Sequence, residues 1–270
     1  AWQPRYSRDG RWLAYAVNDL ESGAAWIEWS AADGSAPRRV EGGAGRLAAP
    51  VFSPDGTRLA FTAWAGSDCV LRVVDLPAGL PRDLAPCGGS RSYPLDWPRE
   101  DRLLYTGLAA SGGQPAAIWR IDPSSGAAAP LSEPSPTALQ DSHPRENAAG
   151  ALAFLRGPHG QSELWLRERG IERRLLPGAH RIPDLAWTRD GGALIVASDR
   201  EGFPALQWLD PASGESRLLG GRGAATLDVS PDGTLLYERR RYDANLWLYQ
   251  AGSEPERLTD STRYEAFAAL

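Results

Sequence analysis

The three histidines are the first candidates for chemistry in this 270-residue chain, and each stands beside Pro or Gly in an expected loop: His143, His159 and His180. Asp141 precedes His143 by two positions, so the two side chains could form an acid–base pair or two metal ligands. The sequence has no Gly-x-Ser-x-Gly motif, no His-Glu-x-x-His pair and no cysteine pair at zinc spacing. We therefore predict that the histidines solvate or cap turns, and that the chain is not an enzyme and holds no metal or cofactor.

The two cysteines, Cys69 and Cys87, both fall in one expected strand hairpin. If Asp75 and Arg82 flank its turn, antiparallel pairing places Cys69 opposite position 88, next to Cys87. Such proximity is close to what a disulfide demands, and the bond would suit an oxidising compartment. Two buried free thiols in a cytosolic protein are the alternative.

A repeated turn sequence indicates the strands that position these residues. In "VFSPDGTRLAF" (51–61), Pro, Asp and Gly between apolar runs have the composition of a turn that joins two strands. The Asp-Gly pair of this turn recurs along the chain as Asp9-Gly10, Asp55-Gly56, Asp190-Gly191 and Asp232-Gly233. The repetition argues against calcium binding, because a turn Asp hydrogen-bonds its own backbone and needs no ion.

An apolar triplet follows each turn, and six triplets align at intervals of just over forty residues. They are Leu13-Ala14-Tyr15, Leu59-Ala60-Phe61, Leu103-Leu104-Tyr105, Leu152-Ala153-Phe154, Leu194-Ile195-Val196 and Leu235-Leu236-Tyr237. Repeats of strands and turns at this length are typical of propeller blades, because one blade alone cannot bury both faces. We therefore predict an all-β fold, a six-bladed β-propeller of four-stranded antiparallel blades, as a single domain over residues 1–270.

The predicted repeats start near residues 4, 50, 94, 141, 182 and 226. A tryptophan recurs in the third strand of most repeats, where we expect packing between blades; these residues are Trp26, Trp119, Trp165, Trp208 and Trp247. Residues 264–270 resemble the opening strand of a further repeat, and the sequence has no Met. Both features predict a piece cut from a longer array, with Ala266 to Leu270 packed on a blade edge or poorly ordered.

The innermost strands would line the centre of the ring. The positions read there are Arg5, Tyr6, Val51, Phe52, Leu95, Ala186, Trp187, Asp228 and Val229. They are mostly apolar, whereas a sugar- or metal-binding propeller enzyme needs several carboxylates or histidines converging on the channel. We therefore predict no converging set, and place binding on the loops at the ring's ends.

Composition limits the partners. The formal net charge of −5 argues against nucleic-acid binding. The local exception is Arg239-Arg240-Arg241, which we expect to be solvated or salt-bridged on a strand. No apolar run is long enough to cross a membrane, and no signal peptide opens the sequence.

The turn phrases together resemble a known family. "FSPDGTRLAF", "VSPDGTLLY", "YSRDGRWLAY" and "WTRDGGALIV" resemble the WD40-like repeat of TolB and its relatives over nearly the whole chain. The segments "DCVLRVVDLPAGLPRDLAPC", "YPLDW" and "RRRYDANLWLYQAGSEPERLTDSTRYEAF" are similar to the periplasmic sensor region of membrane-anchored winged-helix transcriptional regulators of the CadC and ToxR type. This second resemblance implies a Cys69–Cys87 pair, a bacterial periplasmic location, and sensing or docking of a ligand.

The expected function is accordingly a non-catalytic periplasmic sensor or protein-interaction propeller, the C-terminal sensory region of such a regulator. A protein or small molecule would bind at one end of the ring, nucleic acid would not bind to this piece, and a membrane would be reached only through an upstream helix. The alternatives are a TolB-like periplasmic scaffold and the gating propeller of a prolyl-oligopeptidase-type peptidase. The peptidase would need an α/β-hydrolase domain with a serine nucleophile, which these residues do not contain.

Overall fold

The computed structural model describes residues 2–19, 21–41, 45–87, 93–108, 115–134, 140–158, 160–240, 247–248 and 254–257. These ranges contain strands and turns, and they hold no helix with the length and apolar character that membrane crossing requires. His159 and the terminal segment 264–270 lie outside the described residues.

Five blades are four-stranded antiparallel sheets whose strands pair in chain order. Blade 1 is β1 (Trp2–Tyr6), β2 (Trp12–Asn18), β3 (Ala25–Ala31) and β4 (Arg38–Glu41), and blade 2 is β5 (Arg46–Phe52), β6 (Arg58–Ala65), β7 (Asp68–Asp75) and β8 (Arg82–Cys87). Blade 3 is β9 (Asp96–Arg99), β10 (Arg102–Gly107), β11 (Ala117–Ile121) and β12 (Ala128–Pro130), and blade 4 is β13 (Asp141–Glu146), β14 (Leu152–Arg156), β15 (Glu163–Glu168) and β16 (Ile171–Arg174). Blade 5 is β17 (Asp184–Trp187), β18 (Leu194–Ser198), β19 (Ala205–Leu209) and β20 (Ser216–Gly220).

The prediction of six four-stranded blades is wrong, because the described residues form five. The sixth repeat forms two separate two-stranded sheets, β21 (Ala224–Val229) with β22 (Leu235–Arg239) and β23 (Trp247–Leu248) with β24 (Glu256–Arg257). The burial of the second strand explains the difference: β18 is buried along its whole length, whereas every residue of β22 is partly or fully exposed. An uncovered strand gains little apolar burial by adding further strands.

The Asp-Gly turns connect the first and second strands of their repeats. In the second repeat, Asp55 accepts hydrogen bonds from the Ser53 hydroxyl (2.6 Å) and from the Thr57 backbone N–H (3.0 Å), and Gly56 has a φ of 72°. The Ser53 bond first, followed by the Thr57 bonds, lowers the pKa of Asp55 to about 2 despite partial burial. Asp9, Asp190 and Asp232 make the same bonds at their own turns. These carboxylates thus build turns, as their repetition indicates.

Apolar clusters fill the spaces between consecutive repeats. The cluster between blades 1 and 2 contains Phe61, and the one between blades 3 and 4 contains Phe154; both side chains are fully buried. The third-strand tryptophans of blades 3, 4 and 5 pack against such clusters, namely Trp119, Trp165 and Trp208. In blade 1, the Arg39 guanidinium lies 4.1 Å from the Trp26 ring centre instead. The Trp247 side chain lies outside the described part.

A β-bulge interrupts the pairing of several innermost strands shortly before the strand leads into its first turn. The pairing of β1, β5 and β13 with the second strand shifts before Arg5, Val51 and Arg145. In each strand a residue with positive φ precedes a proline at the bulge: Gln3-Pro4, Ala49-Pro50 and His143-Pro144, with φ values of 54°, 52° and 56°. Bulges re-aim the side chains that follow them, and two of those side chains here are arginines.

Candidate ligand pocket at the centre of the ring

A cavity of about 480 Å³ lies where the innermost strands of all six repeats end, and we name it the axial pocket. Its lining includes the residues two positions before each first turn: Arg5, Val51, Asp96, Arg145, Ala186 and Asp228. In ring order these residues read arginine, aliphatic, aspartate, and then the same three types again. Counted from the sixth repeat, repeats 6, 1 and 2 supply an aspartate, an arginine and an aliphatic residue, and repeats 3, 4 and 5 supply the same three types, so the pocket is built from two matching halves.

Arg5 connects three innermost strands. Its Nη1 donates to the carbonyl oxygens of Leu227 (2.5 Å) and Pro4 (3.1 Å), and its Nη2 donates to Asp184 Oδ2 at 2.9 Å. The Arg5 side chain is only 5% exposed. A guanidinium so enclosed is stable because charged and carbonyl acceptors replace its lost water.

Arg145 repeats this arrangement in the other half. Its Nη1 donates to the carbonyl oxygens of Leu95 (2.9 Å) and Pro144 (2.8 Å), and its Nη2 donates to Asp184 Oδ1 at 2.8 Å. Its Nε makes one further bond, to the Leu185 carbonyl at 2.9 Å. Leu95 and Leu227 occupy the same register, directly before Asp96 and Asp228, so the two arginines use equivalent backbone acceptors.

Asp184 joins the two halves. Its carboxylate is fully buried and accepts from both arginines, from its neighbour's backbone N–H (Leu185, 2.9 Å) and from Leu227 N–H at 3.2 Å. Four donors on two oxygens compensate the loss of hydration that burial imposes on a carboxylate. The Arg5–Asp184–Arg145 bridge thus links strands β1, β13 and β17 through one buried charge.

Asp96 and Asp228 also match each other in their backbone bonds. Asp96 accepts from the Glu146 N–H at 2.6 Å, and Asp228 accepts from the Tyr6 N–H at 2.7 Å. Within the described ranges, neither carboxylate has an ion-pair partner inside 4.0 Å. Burial raises the pKa of Asp96 to about 7 and that of Asp228 to about 6, although the Arg5 charge opposes the rise at both.

The residue that follows each arginine differs between the halves. Glu146 follows Arg145, and Arg102 Nη1 binds both of its oxygens at 3.1 and 2.9 Å while Arg99 lies 3.6 Å away. Tyr6 follows Arg5, and burial followed by the charges of Asp228 and Asp232 raises its pKa. At this one position, the half with Asp96 carries an additional carboxylate and the half with Asp228 carries a tyrosine ring.

The residues singled out by chemistry in the sequence do not assemble at this pocket. Asp141 forms a two-bond ion pair with Arg156, at 2.8 Å for each bond, so its carboxylate is already neutralised. His143 is the bulge residue of β13, buried beside Ser142 and in edge contact with the Tyr93 ring. A ring nitrogen of His180 lies 3.2 Å from the Pro177 carbonyl oxygen, across a turn. Within the described ranges, no three His, Cys, Asp or Glu side chains form a metal-binding group.

Cys69 and Cys87 form a disulfide between β7 and β8, with Cα atoms 5.0 Å apart. The two cysteines are directly paired rather than offset by one, because Arg82 pairs with Val73 instead of Asp75 and a register shift between Leu71 and Arg72 then brings Cys87 opposite Cys69. The bond is consistent with an oxidising, extracytoplasmic compartment.

Sequence reasoning missed most of the axial pocket. The innermost strands were expected to be mostly apolar, yet Arg5, Asp96, Arg145, Asp184 and Asp228 converge there. The signal was available in the register, because the position two residues before each turn alternates in type. It was obscured because the turns of the third and fourth repeats lack Asp-Gly, and those repeats supply Asp96 and Arg145.

Comparisons with known proteins address the fold alone. No protein-family model matches the sequence, and no curated protein matches it. Among solved structures, TolB from Acinetobacter baumannii aligns with a TM-score of 0.72 and 17% identity over 87% of this chain and 59% of its own. A protein described as TolB from Agrobacterium tumefaciens aligns with a TM-score of 0.68 and 19% identity over 88% of this chain and 90% of its own.

The fold is that of a TolB-like propeller. A puromycin-hydrolyzing peptidase from Mycobacterium tuberculosis also aligns, with a TM-score of 0.60 and 19% identity over 87% of this chain and 42% of its own. The chain therefore spans less than two thirds of the Acinetobacter protein and less than half of the peptidase.

Proposed function

We propose that this chain is a non-catalytic binding propeller that works outside the cytoplasm and takes a ligand or partner segment into the axial pocket. The proposal rests mainly on the buried charges at the pocket. Apolar side chains would fill the same positions at a lower desolvation cost. A cavity with a few converging polar groups and perturbed carboxylates is the usual form of a binding site.

The non-catalytic part of the proposal rests on the lining. Acyl transfer needs a nucleophile held by a base. The pocket lining contains no histidine or cysteine, and its serine and threonine hydroxyl groups, those of Ser7, Thr188 and Ser230, donate to the turn aspartates. The Ser142–His143 contact, at 3.0 Å, is buried and outside the lining. The disulfide supports the extracytoplasmic part.

The finer role that we propose is the sensory region of a membrane-anchored winged-helix regulator. It is supported by the resemblance of the segments around Cys69, Cys87 and Arg239 to that family, and by the disulfide. A coding sequence upstream of Ala1 that specifies a winged helix followed by about twenty apolar residues would support this role. An upstream sequence that lacks both would contradict it.

A TolB-like scaffold is the second candidate, favoured by the alignment over 90% of the Agrobacterium chain. A gating propeller is less favoured, because an axial passage for peptides needs an open centre and the Arg5–Asp184–Arg145 bridge connects strands there. A serine-hydrolase domain in the same coding sequence would reverse this preference.

The test is a ligand screen that compares the native protein with a variant in which a bulky side chain blocks the mouth of the pocket. Ala148 is exposed and lines the pocket, so Ala148→Trp narrows the mouth without entering the core. Ala212, exposed on a turn of blade 5 outside the lining, gives the matched control Ala212→Trp. Calorimetry with amino acids, short peptides, sugars and organic anions should find a ligand for the native protein and the control that Ala148→Trp no longer binds.

Two results would overturn the proposal. One is turnover of a peptide or ester substrate that His143→Ala abolishes, since this would establish an enzyme. The other is binding of every ligand found with equal affinity to Ala148→Trp and the native protein, since this would place the site elsewhere.

A further inference from the structure

We propose that the Asp228 side of the axial pocket recognises an organic cation, an ammonium or guanidinium group, held between Asp228, Tyr6 and Trp187. This inference rests on the proposed binding function and specifies the ligand of the same pocket. It is carried by a carboxylate without an ion-pair partner within 4.0 Å among the described residues, by the aromatic side chains on both sides of it, and by the engagement of Arg5 and Arg145 with Asp184.

The carboxylate of Asp228 has only backbone donors. It accepts from the N–H of Tyr6 at 2.7 Å, and no cation lies in ion-pair range of it among the described residues. Arg5, whose charge acts on Asp228, directs its Nη groups to Pro4, Leu227 and Asp184. A half-buried carboxylate without an ion-pair partner gains from a cationic ligand because the pair forms where water is scarce.

Aromatic rings stand on the innermost strands to either side of Asp228. Tyr6 ends β1 and Trp187 ends β17, the strands next to β21, and both side chains line the pocket and are half-buried. The Trp187 indole N–H donates to the Arg145 carbonyl at 2.9 Å, which fixes the plane of its ring. Aromatic faces attract cations by about 0.5–2 kcal/mol, and carboxylate with aromatic walls is the usual receptor for quaternary and primary amines.

The charges that line the pocket are unevenly distributed. Arg5 and Arg145 bind Asp184, which is buried outside the lining, and the exposed Arg8, Arg99 and Arg189 also line the pocket. Arg102 binds Glu146 at 2.9 Å. A cation would therefore be recognised locally, by Asp228 and its aromatic neighbours, and not by the net charge of the pocket.

The charge of Asp228 depends on pH. Burial raises its pKa to about 6; the Arg5 charge and the Tyr6 and Val229 backbone donors oppose the rise, and Asp184 adds to it. Tyr6 and Asp96 also face this region, and Asp96 has a pKa of about 7. Cation binding should therefore strengthen as pH rises through about 6, with a smaller further gain near 7.

The experiment titrates the native protein with N-acetyl-lysine amide, N-acetyl-arginine amide and spermidine at pH 7.5 and 5.0 by calorimetry. N-acetyl-citrulline amide is the uncharged isostere of the arginine probe, and N-acetyl-glutamate amide is the anionic control. At pH 7.5 we expect saturable binding of a cationic probe at one site, at least tenfold weaker binding of citrulline, and at least tenfold weaker binding at pH 5.0. Preference for the amino-acid amides would indicate a peptide ligand, and preference for spermidine a free amine.

Variants place the cation within the pocket. Asp228→Asn should weaken the cationic probe at least tenfold, about 1.4 kcal/mol, and Trp187→Leu about threefold. Asp96→Asn, the matched change in the other half, should alter binding less than threefold. Circular dichroism checks that each variant is folded; if Asp228→Asn is not, the arginine–citrulline comparison in the native protein carries the test.

Failure of this inference differs from failure of the proposed function. If no cationic probe binds, if citrulline binds as well as arginine, or if Asp96→Asn weakens binding more than Asp228→Asn, the cation site at Asp228 is wrong. A neutral or anionic ligand that binds the native protein but not Ala148→Trp would then leave the binding function intact.

Discussion

The two halves of the axial pocket have the same backbone bonds and different neighbours. Arg5 with Asp228 and Arg145 with Asp96 bind equivalent carbonyls and equivalent N–H groups. Burial raises the pKa of both carboxyl groups, to about 7 for Asp96 and to about 6 for Asp228. The charges of Glu146 and Asp228 add to the rise at Asp96, whereas the Arg5 charge and the Tyr6 and Val229 backbone donors oppose it at Asp228. Matching backbone bonds thus hold the two carboxylates among different charges.

The largest effect should come from removing the charge that the halves share. Asp184→Ala leaves Arg5 and Arg145 without their common carboxylate, and breaking a buried ion pair costs about 3–5 kcal/mol. We expect a loss of this size in the free energy of unfolding from urea titration. Asp190→Asn, at an exposed turn, is the control and should change little. A loss below about 1 kcal/mol for Asp184→Ala would show that the bridge does not hold the strands together.

Substitution of Arg5 and of Arg145 should lower the free energy of unfolding by different amounts in the same urea titration. Arg145 makes one more hydrogen bond than Arg5, from Nε to the Leu185 carbonyl. Arg5→Met and Arg145→Met should each destabilise by a few kcal/mol, with Arg145→Met the larger by about 1 kcal/mol, the contribution of one hydrogen bond. Equal losses, or a larger loss for Arg5→Met, would mean that the additional bond adds no stability.

Blades 2 and 5 occupy matching places in the two halves, and only blade 2 has a disulfide between its outer strands. The bond closes a loop of 18 residues, for which a loss of about 3 kcal/mol is expected on removal. Cys69→Ala with Cys87→Ala should therefore lower the urea midpoint of the oxidised protein to that of the reduced protein. A double variant as stable as the oxidised protein would contradict this assignment.

Stability should fall as pH rises from about 4 to about 7. Asp96 and Asp228 have pKa values raised to about 7 and about 6 in the folded protein, so over this interval the folded state binds more protons than the unfolded chain. Thermal melts from pH 4.5 to 8 should show the decline. Asp96→Asn should remove more of it than Asp228→Asn, and the native slope should end near pH 7. A stability that rises over this interval would reverse the assigned sign.

The smallest change tests the origin of the asymmetry. Glu146→Gln removes the nearby charge that raises the pKa of Asp96, so the Asp96 pKa should move down toward that of Asp228. Carboxyl carbon chemical shifts followed by NMR against pH would measure both groups. Asp228 is the internal control, and an unchanged Asp96 pKa would assign the asymmetry to burial alone.

The repeats and their turns could be predicted from the sequence because local chemistry determines them. Asp55 and Gly56 form their turn through bonds within five residues, and Cys69 and Cys87 are joined through one hairpin. The prediction of a sixth four-stranded blade was wrong because the second strand of that repeat is not buried by neighbouring elements. Such burial depends on tertiary contacts, which the local sequence pattern does not describe.

The pocket could not be predicted in the same way. Arg5 and Asp184 are 179 residues apart in sequence, and only ring closure brings them together. Asp96 and Arg145 precede turns that lack Asp-Gly, so aligning on Asp-Gly alone passed over them. When every innermost strand is aligned by its distance from the following turn, the order of charged and aliphatic residues around the ring is visible in the sequence alone.

The bulges before Arg5, Val51 and Arg145 make the pocket separable from the scaffold that holds it. A bulge and its proline fix the backbone locally, so the side chain that follows is presented in the same way whether it is Val51 or Arg145. Arg5 and Arg145 belong to the buried bridge and Val51 does not, so Val51 is the bulged position whose side chain can be exchanged without breaking the bridge. Substitutions there offer a route to propellers of altered ligand preference whose blades are left untouched.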